Sequence, residues 1–421
     1  MQQHLHSAGK SFAGPSAPPD ENTTLAATQA AWRFLHNERI TLPQLAEPLQ
    51  AVARQWRREH PGAWALVISD WSFLSYSNHT RKSDRTAHGA AHSRGYDLST
   101  MLLVDGRRGD PVVPLELEVR TAQGLFSTRP GAPNPDHSSL DHLLPGMQAV
   151  DRLGWHERVI HVIDRGGDSA AHYRDWQADG RYFLVRCDDV RVVRWQEREW
   201  ALKDLRDHLH RTAQFQGRHE VTYRGQTAVQ SVAEVPVVLD RPVLRRRRRD
   251  GRTSYKQVRG EALALRLIIS RVTHATGETL AVWYLLTNAP AEVPAATVAV
   301  WYYWRWRIES FFKLLKSGGQ AAEQWQQETG QAIAKRLLVA AMACALVWKL
   351  ERATAPEAIT FRAFLVRLSG RQMKRSKPHT APALLAGLYI YLAMLDALEQ
   401  HSVEDLRDLK KHLRFTQPDT G

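Results

Sequence analysis

Three acidic residues stand where they could do chemistry. Asp70 closes the apolar run ALVISD (65–70), and Asp164 closes the apolar part of RVIHVIDRGGD (158–168). Either aspartate alone reads as an ordinary cap or turn residue. Two of them on separate strands of one domain could face each other, and a third acid would complete an oxygen-only site. Such a site suits hard divalent ions. Two ions roughly 3.5–4 Å apart form the usual clamp for phosphodiester chemistry.

Glu309 is the candidate third acid. It lies in a segment, 297–316, whose pattern predicts a helix, among Tyr302, Arg305 and Lys316. Counted from Tyr302, the other three stand at offsets 3, 7 and 14. At about 100° per residue all four side chains share a stripe roughly 60° wide. An acid, two cations and a tyrosine make a poor core face. The stripe is either a solvated face with ordinary i,i+4 pairs, or one that holds a metal through Glu309 and a phosphate through Arg305, Lys316 and Tyr302.

The elements that must position these residues follow from periodicity. Residues 24–58 read as helical, ending at Pro61 and Gly62. Strands are predicted over 65–70, 96–104 and 112–119, with a polar loop (77–93) between the first two. A helix is predicted over 136–154, then a strand ending at Asp164 and another at 183–187. Three strands, a helix and a further strand suit a mixed α/β domain. VVRWQ, HEVTYR, VAEVPVVL, ALALRLIISRVT and TLAVWYLLT then predict a mostly β region. That region carries five consecutive arginines, Arg245, Arg246, Arg247, Arg248 and Arg249. They are either a solvated loop or, with Lys313, candidate DNA contacts. Helices are predicted again over 331–350 and 380–400. The Ser-, Gly- and Pro-rich start reads as disordered, and the last residues, KHLRFTQPDTG, as a frayed tail.

Composition narrows the function. The 421 residues exceed what one core usually supports. Lys plus Arg is 57 against 44 Asp plus Glu, a formal charge of +13, which suggests a polyanionic partner. Two cysteines, Cys187 and Cys344, argue against a disulfide framework or a cysteine zinc site. His88 and His92 are spaced by four but have no glutamate between them, so they make no zincin motif. The longest apolar stretch read from the sequence, Leu337 to Trp348, is short of a membrane span. The expectation is an intracellular protein whose polyanionic partner is DNA or RNA, with no membrane partner.

With these residues in place, a resemblance becomes specific. YYWRWRIESFFKLLKSG (302–318) resembles the signature of DDE transposases from bacterial insertion sequences: tyrosine, two residues, arginine, three residues, glutamate, six residues, lysine. It falls on Tyr302, Arg305, Glu309 and Lys316 without a gap. VISDWSFLSYS resembles the family's first catalytic strand and VIDRGGD the second, which implies Asp70, Asp164 and Glu309 as catalytic metal ligands. Where relatives often carry an acid soon after the arginine, this chain has Gly166, Gly167 and Asp168. The separations, 164 − 70 = 94 and 309 − 164 = 145 residues, leave room in the second gap for the family's β-rich insertion. GETLAVWYLLTNAP resembles the segment with a tryptophan that supports a flipped base, here Trp283; the alternative is a core-strand tryptophan. AAWRFLHNERITL (30–42) resembles the end of the N-terminal helical region.

The resemblance covers roughly residues 24–350. It implies an α/β fold: a ribonuclease-H-like core with a β-rich insertion and N- and C-terminal helical regions. The expected boundaries are 1–22 (disordered), 23–60 (helical DNA-binding or linker region), 61–189 and 297–350 (core), 190–296 (insertion) and 351–421 (helical, for dimerisation). It further implies two Mg²⁺ ions, with Mn²⁺ as a substitute. Double-stranded DNA, as transposon ends and target, is the implied partner, bound by a homodimer. The implied activity is cut-and-paste transposition through hairpin ends, by a DNA-associated protein of the bacterial cytoplasm. Tyr302, Arg305 and Lys316 would grip phosphate. Alternatives are a metal-dependent nuclease of the same fold and an inactive transposase-derived DNA-binding regulator. The segment before Asp70 is short for a full end-recognition domain.

Overall fold

The computed structural model describes residues 21–409 apart from 90–92, 132–137, 156, 213, 224, 250–251, 259 and 375–376. The disordered start and frayed end expected from the sequence lie outside the described residues. The helices are α1 (Glu21–His36), α2 (Leu42–Glu59), α3 (Leu143–Asp151), α4 (Ala170–Ala178), α5 (Leu202–Arg211), α6 (Ala295–Tyr303), α7 (Trp306–Lys313), α8 (Gly330–Arg352), α9 (Pro356–Leu368), α10 (Ala381–Gln400) and α11 (Val403–Leu409). The strands are β1 (Ala65–Ser75), β2 (Thr86–Ala87), β3 (Arg94–Asp105), β4 (Pro111–Arg120), β5 (Leu125–Ser127), β6 (Val159–Ile163), β7 (Tyr182–Cys187), β8 (Val192–Trp195), β9 (Arg198–Ala201), β10 (Gln216–Tyr223), β11 (Gln226–Leu239), β12 (Val243–Arg249), β13 (Arg252–Val258), β14 (Leu263–His274) and β15 (Thr279–Thr287). The chain divides into two compact units, 42–77 with 84–312, and 1–41 with 78–83 and 313–421.

The larger unit is built on one 13-stranded mixed sheet in the order β5-β4-β3-β1-β6-β7-β15-β14-β11-β8-β9, with β2 on β3 and β10 on β11. β1, β6 and β7 run parallel, while β3 is antiparallel to β1 and β15 to β7. The parallel strands are mostly apolar, interrupted by His161 in β6 and Arg186 in β7, because both faces are covered: Leu66, Val67, Ile68, Ile160, Val162 and Ile163 are fully buried. α2 packs its Leu49, Ala53 and Trp56 stripe in this unit and lies against β4.

The β-rich segment extends the same sheet rather than forming one of its own, since β15 pairs with β7 (Leu285↔Arg186). It also contains a helix that strand-like reading passed over. In α5, Leu202, Leu205 and Leu209 recur at helical spacing and are all buried. The arginine run forms strand β12 of a two-stranded hairpin with β13. Its side chains lie outside the described residues.

Two further expectations need correcting. Residues 24–58 form two helices, interrupted at 37–41. Residues 297–316 do not form one helix either. α6 stops at Tyr303, α7 starts at Trp306, and a π-helical turn covers Leu314–Gly318. The break closes with short backbone bonds, Arg305 N–H to Tyr302 O and Ile308 N–H to Arg305 O. The regular 100° stripe therefore does not exist.

The smaller unit is helical. α8 is buried almost all round and contacts α1, α9 and α10. α10 corrects the reading of the longest apolar stretch: its 19-residue window Ala381–Glu399 is long and apolar enough to cross a membrane, by length and composition. It packs on α8 and α9, and exposes Ile390, Met394 and Leu398.

Candidate active site at the ends of the parallel strands

In β1 the first five residues are buried, and burial loosens at Asp70, mid-strand rather than at its end. β1 and β6 pair in register through Ser69↔Ile163, and β6 and β7 through Ile163↔Val185. One residue further on, Asp70, Asp164 and Arg186 follow as a row across the three parallel strands, level with the carboxyl end of β6; that end is the usual place for a site in such sheets. Arg186 was not singled out in the sequence. A charged residue inside the short apolar strand FLVRC was the available signal.

Local structure fixes both aspartates. The Trp71 N–H donates to Asp70 Oδ1 at 2.8 Å. Asp164 caps a single 3₁₀ turn (Arg165–Gly167), its Oδ1 accepting from Gly166 N–H at 2.7 Å. That turn requires small residues: a Cβ on Gly166 would stand 2.9 Å from Asp164 Oδ1, and one on Gly167 would stand 2.4 Å from Ile163 Cγ2. Behind the turn, Asp168 Oδ1 accepts from Tyr173 OH (2.7 Å) and pairs with Arg191 (2.6 Å), while its Oδ2 accepts from Asp188 N–H (3.1 Å).

Glu309 reaches the site through Arg305. The Arg305 side chain, 9% exposed, donates from Nη1 to Asp70 Oδ2 at 2.8 Å and from Nη2 to Glu309 Oε1 at 2.5 Å. The i,i+4 relation read from the sequence thus holds for this pair. Burial pushes the Asp70 carboxyl up to about 6; Arg305 and the Trp71 N–H oppose the rise, and the charges of Asp164 and Glu309 add to it.

Tyr302 is 2% exposed and its hydroxyl is pushed up to about 12 by burial, with Arg305 and Arg186 opposing. Trp283, 5% exposed, stands edge-on to Tyr302 with ring centroids 5.8 Å apart. Lys313 is the exposed last residue of α7. Lys316 belongs to the helical unit, where its Nζ lies 3.8 Å from Glu323 Oε1.

The model for the family described as "Transposase DDE domain" matches residues 66–346. The chain belongs to that family. Among solved structures, a piggyBac transposase synaptic complex with hairpin DNA is similar at 9% identity and a TM-score of 0.39, covering 100% of this chain and 76% of that one. The assignment rests on the domain match, which spans all three acids of this transposase.

Members of the family normally use divalent metals. Among the described residues, no three carboxylate, imidazole or thiol groups gather closely enough to close on one ion as they stand. The residues still fit such an ion. The donors are carboxylate oxygens only, which suits a hard cation. The charges of Asp164 and Glu309 both bear on Asp70, whose rise comes first from burial and is opposed by Arg305 and the Trp71 N–H.

Proposed function

We propose that this transposase cuts the ends of a mobile element and joins the freed 3′ ends to target DNA at the site formed by Asp70, Asp164 and Glu309. The observation that carries the reading is the parallel register bringing Asp70 beside Asp164, with Arg305 tying Glu309 to Asp70. The order β4-β3-β1-β6-β7, with β4, β1, β6 and β7 running one way and β3 the other, supports a ribonuclease-H-like core.

Asp70, Asp164 and Glu309 would hold Mg²⁺ or Mn²⁺, which supplies Lewis acidity to attacking and leaving oxygens. Arg186 and Arg305 supply fixed positive charge beside the scissile phosphate, where charge grows during the reaction. Tyr302 is held against Trp283, and a base taken out of the duplex would stack on Trp283 only once that packing opens. Hairpin formation by the free 3′-hydroxyl, as in insertion-sequence relatives, is the route in this proposal. The exposed apolar side chains of α10 support pairing of two copies on two ends.

The test is a Mg²⁺-dependent assay on DNA carrying the element's own flanking ends. Wild type should give nicked, hairpin and joined products, and E309Q and D164N should give none. Cleavage that survives in E309Q sinks the assignment. Nicking without joined products would reassign the protein as a nuclease, and tight end binding without any cleavage as a regulator.

A further inference from the structure

A cleft lies away from the acids, on the β-rich part of the sheet. It encloses about 310 Å³ and is lined by Phe215, Ser231, Arg271, Thr273 and His274, with Gly217 at its rim. Its face follows from register. Ser270 pairs with Trp283, and Arg271, one residue on, points to the other face. The cleft and Trp283 therefore lie on opposite sides of the sheet.

The lining carries a cation, an imidazole and two hydroxyls, and no carboxylate. Arg271 stacks its guanidinium over the Phe215 ring, 4.8 Å from the centroid, and Nη1 lies 3.2 Å from His210 Nδ1. Its Nε is buried without a hydrogen-bond partner. Among the described residues, no carboxylate pairs with Arg271. His274 Nδ1 lies 3.0 Å from Thr276 Oγ1 and 3.4 Å from its backbone N. A buried guanidinium Nε without a partner carries a cost that an anion reaching it would offset. A planar fork with a stacked aromatic is the arrangement that grips phosphate.

We infer that this cleft takes a phosphate of the DNA backbone, a contact remote from the catalytic acids and on the other face of the sheet. The occupant rests on the transposase reading; the need for an anion does not.

The test is the salt dependence of duplex binding by the full chain in EDTA, which prevents cleavage, read by fluorescence anisotropy. Each phosphate contact contributes about 0.9 to the slope of log affinity against log salt. R271Q should lower affinity several-fold and the slope by about 1, while R271K keeps the slope. Ser231 pairs directly across from Arg271, so S231E supplies the missing carboxylate from within; it should lose the same slope without loss of melting temperature. Unchanged slopes in folded R271Q and S231E overturn the inference. If wild type binds no duplex, the function reading has failed separately. Protection of wild type by inorganic phosphate, absent in R271Q, would then replace DNA with a free phosphate ligand, and no protection would dismiss the site.

Discussion

Replacing the Asp70 carboxylate should make the metal-free protein more stable. Asp70 is pushed from its ordinary 3.8 to about 6, chiefly by burial. At about 1.4 kcal/mol per pH unit, keeping it ionised in the fold costs about 3 kcal/mol at neutral pH. The sign follows from proton counting. Between pH 3.8 and about 6 the folded chain holds a proton that the unfolded chain has released, so this group's contribution falls as pH rises and is flat above. Asparagine mimics the protonated form. D70N should therefore gain about 1–3 kcal/mol at pH 7 in EDTA, the lower bound allowing for the 13% of the side chain that already reaches water. In a unit of this size, that is a rise in melting temperature of about 3–10 °C. The assay is thermal unfolding of wild type and D70N in EDTA from pH 4 to pH 8. The gap should close toward pH 4, and Mg²⁺ should narrow it at pH 7 by stabilising wild type alone. D70N melting no higher than wild type at pH 7, or a gap equally wide at pH 4, would refute the reasoning.

Arg305 neutralises the two acids that a metal would need, so R305Q should destabilise the metal-free chain by about 3 kcal/mol while binding Mn²⁺ more tightly; calorimetry without DNA checks this, and weaker binding refutes it. G166A places a Cβ 2.9 Å from Asp164 Oδ1, and end cleavage should fall about tenfold to a hundredfold with the melting temperature nearly unchanged. D168N strands the Arg191 guanidinium and should cost about 3–5 kcal/mol, measured by urea unfolding. Burial pushes Glu116 up to about 7, with Glu118 adding and Arg129 opposing. E116Q should therefore gain about 3 kcal/mol over wild type at pH 8, an advantage that fades as pH falls toward 4.5.

The strands around the acids were legible because burial on both faces writes mostly apolar runs, as in Ala65–Ile68 and Val159–Ile163. What those runs could not show was neighbour order. That β1 lies beside β6, and that Arg186 falls in line with Asp164, depends on pairing between residues about 90 and 20 positions apart in the chain. α5 was missed because LKDLRDHLHR, between strand-like runs, offers only three leucines to reveal its period. α10 was legible as a helix over 380–400, but not as the longest apolar segment, because its apolar character is spread over alanine, leucine, tyrosine and glycine rather than a solid block.

The helix carrying Glu309 shows where spacing misleads and still works. Read as one regular helix, Tyr302, Arg305, Glu309 and Lys316 share a stripe. The chain instead breaks after Tyr303, and the break separates two demands that one helix face cannot meet. Tyr302 ends α6 in the core against Trp283. Arg305, in the break, reaches Asp70 on another strand while keeping its i,i+4 hold on Glu309. A continuous helix would have tied the burial of Tyr302 to the direction of Arg305. The four-residue interval from Arg305 to Glu309 survives because it lies almost wholly within α7. The interval from Tyr302 crosses the break, so its spacing does not follow from one regular helix.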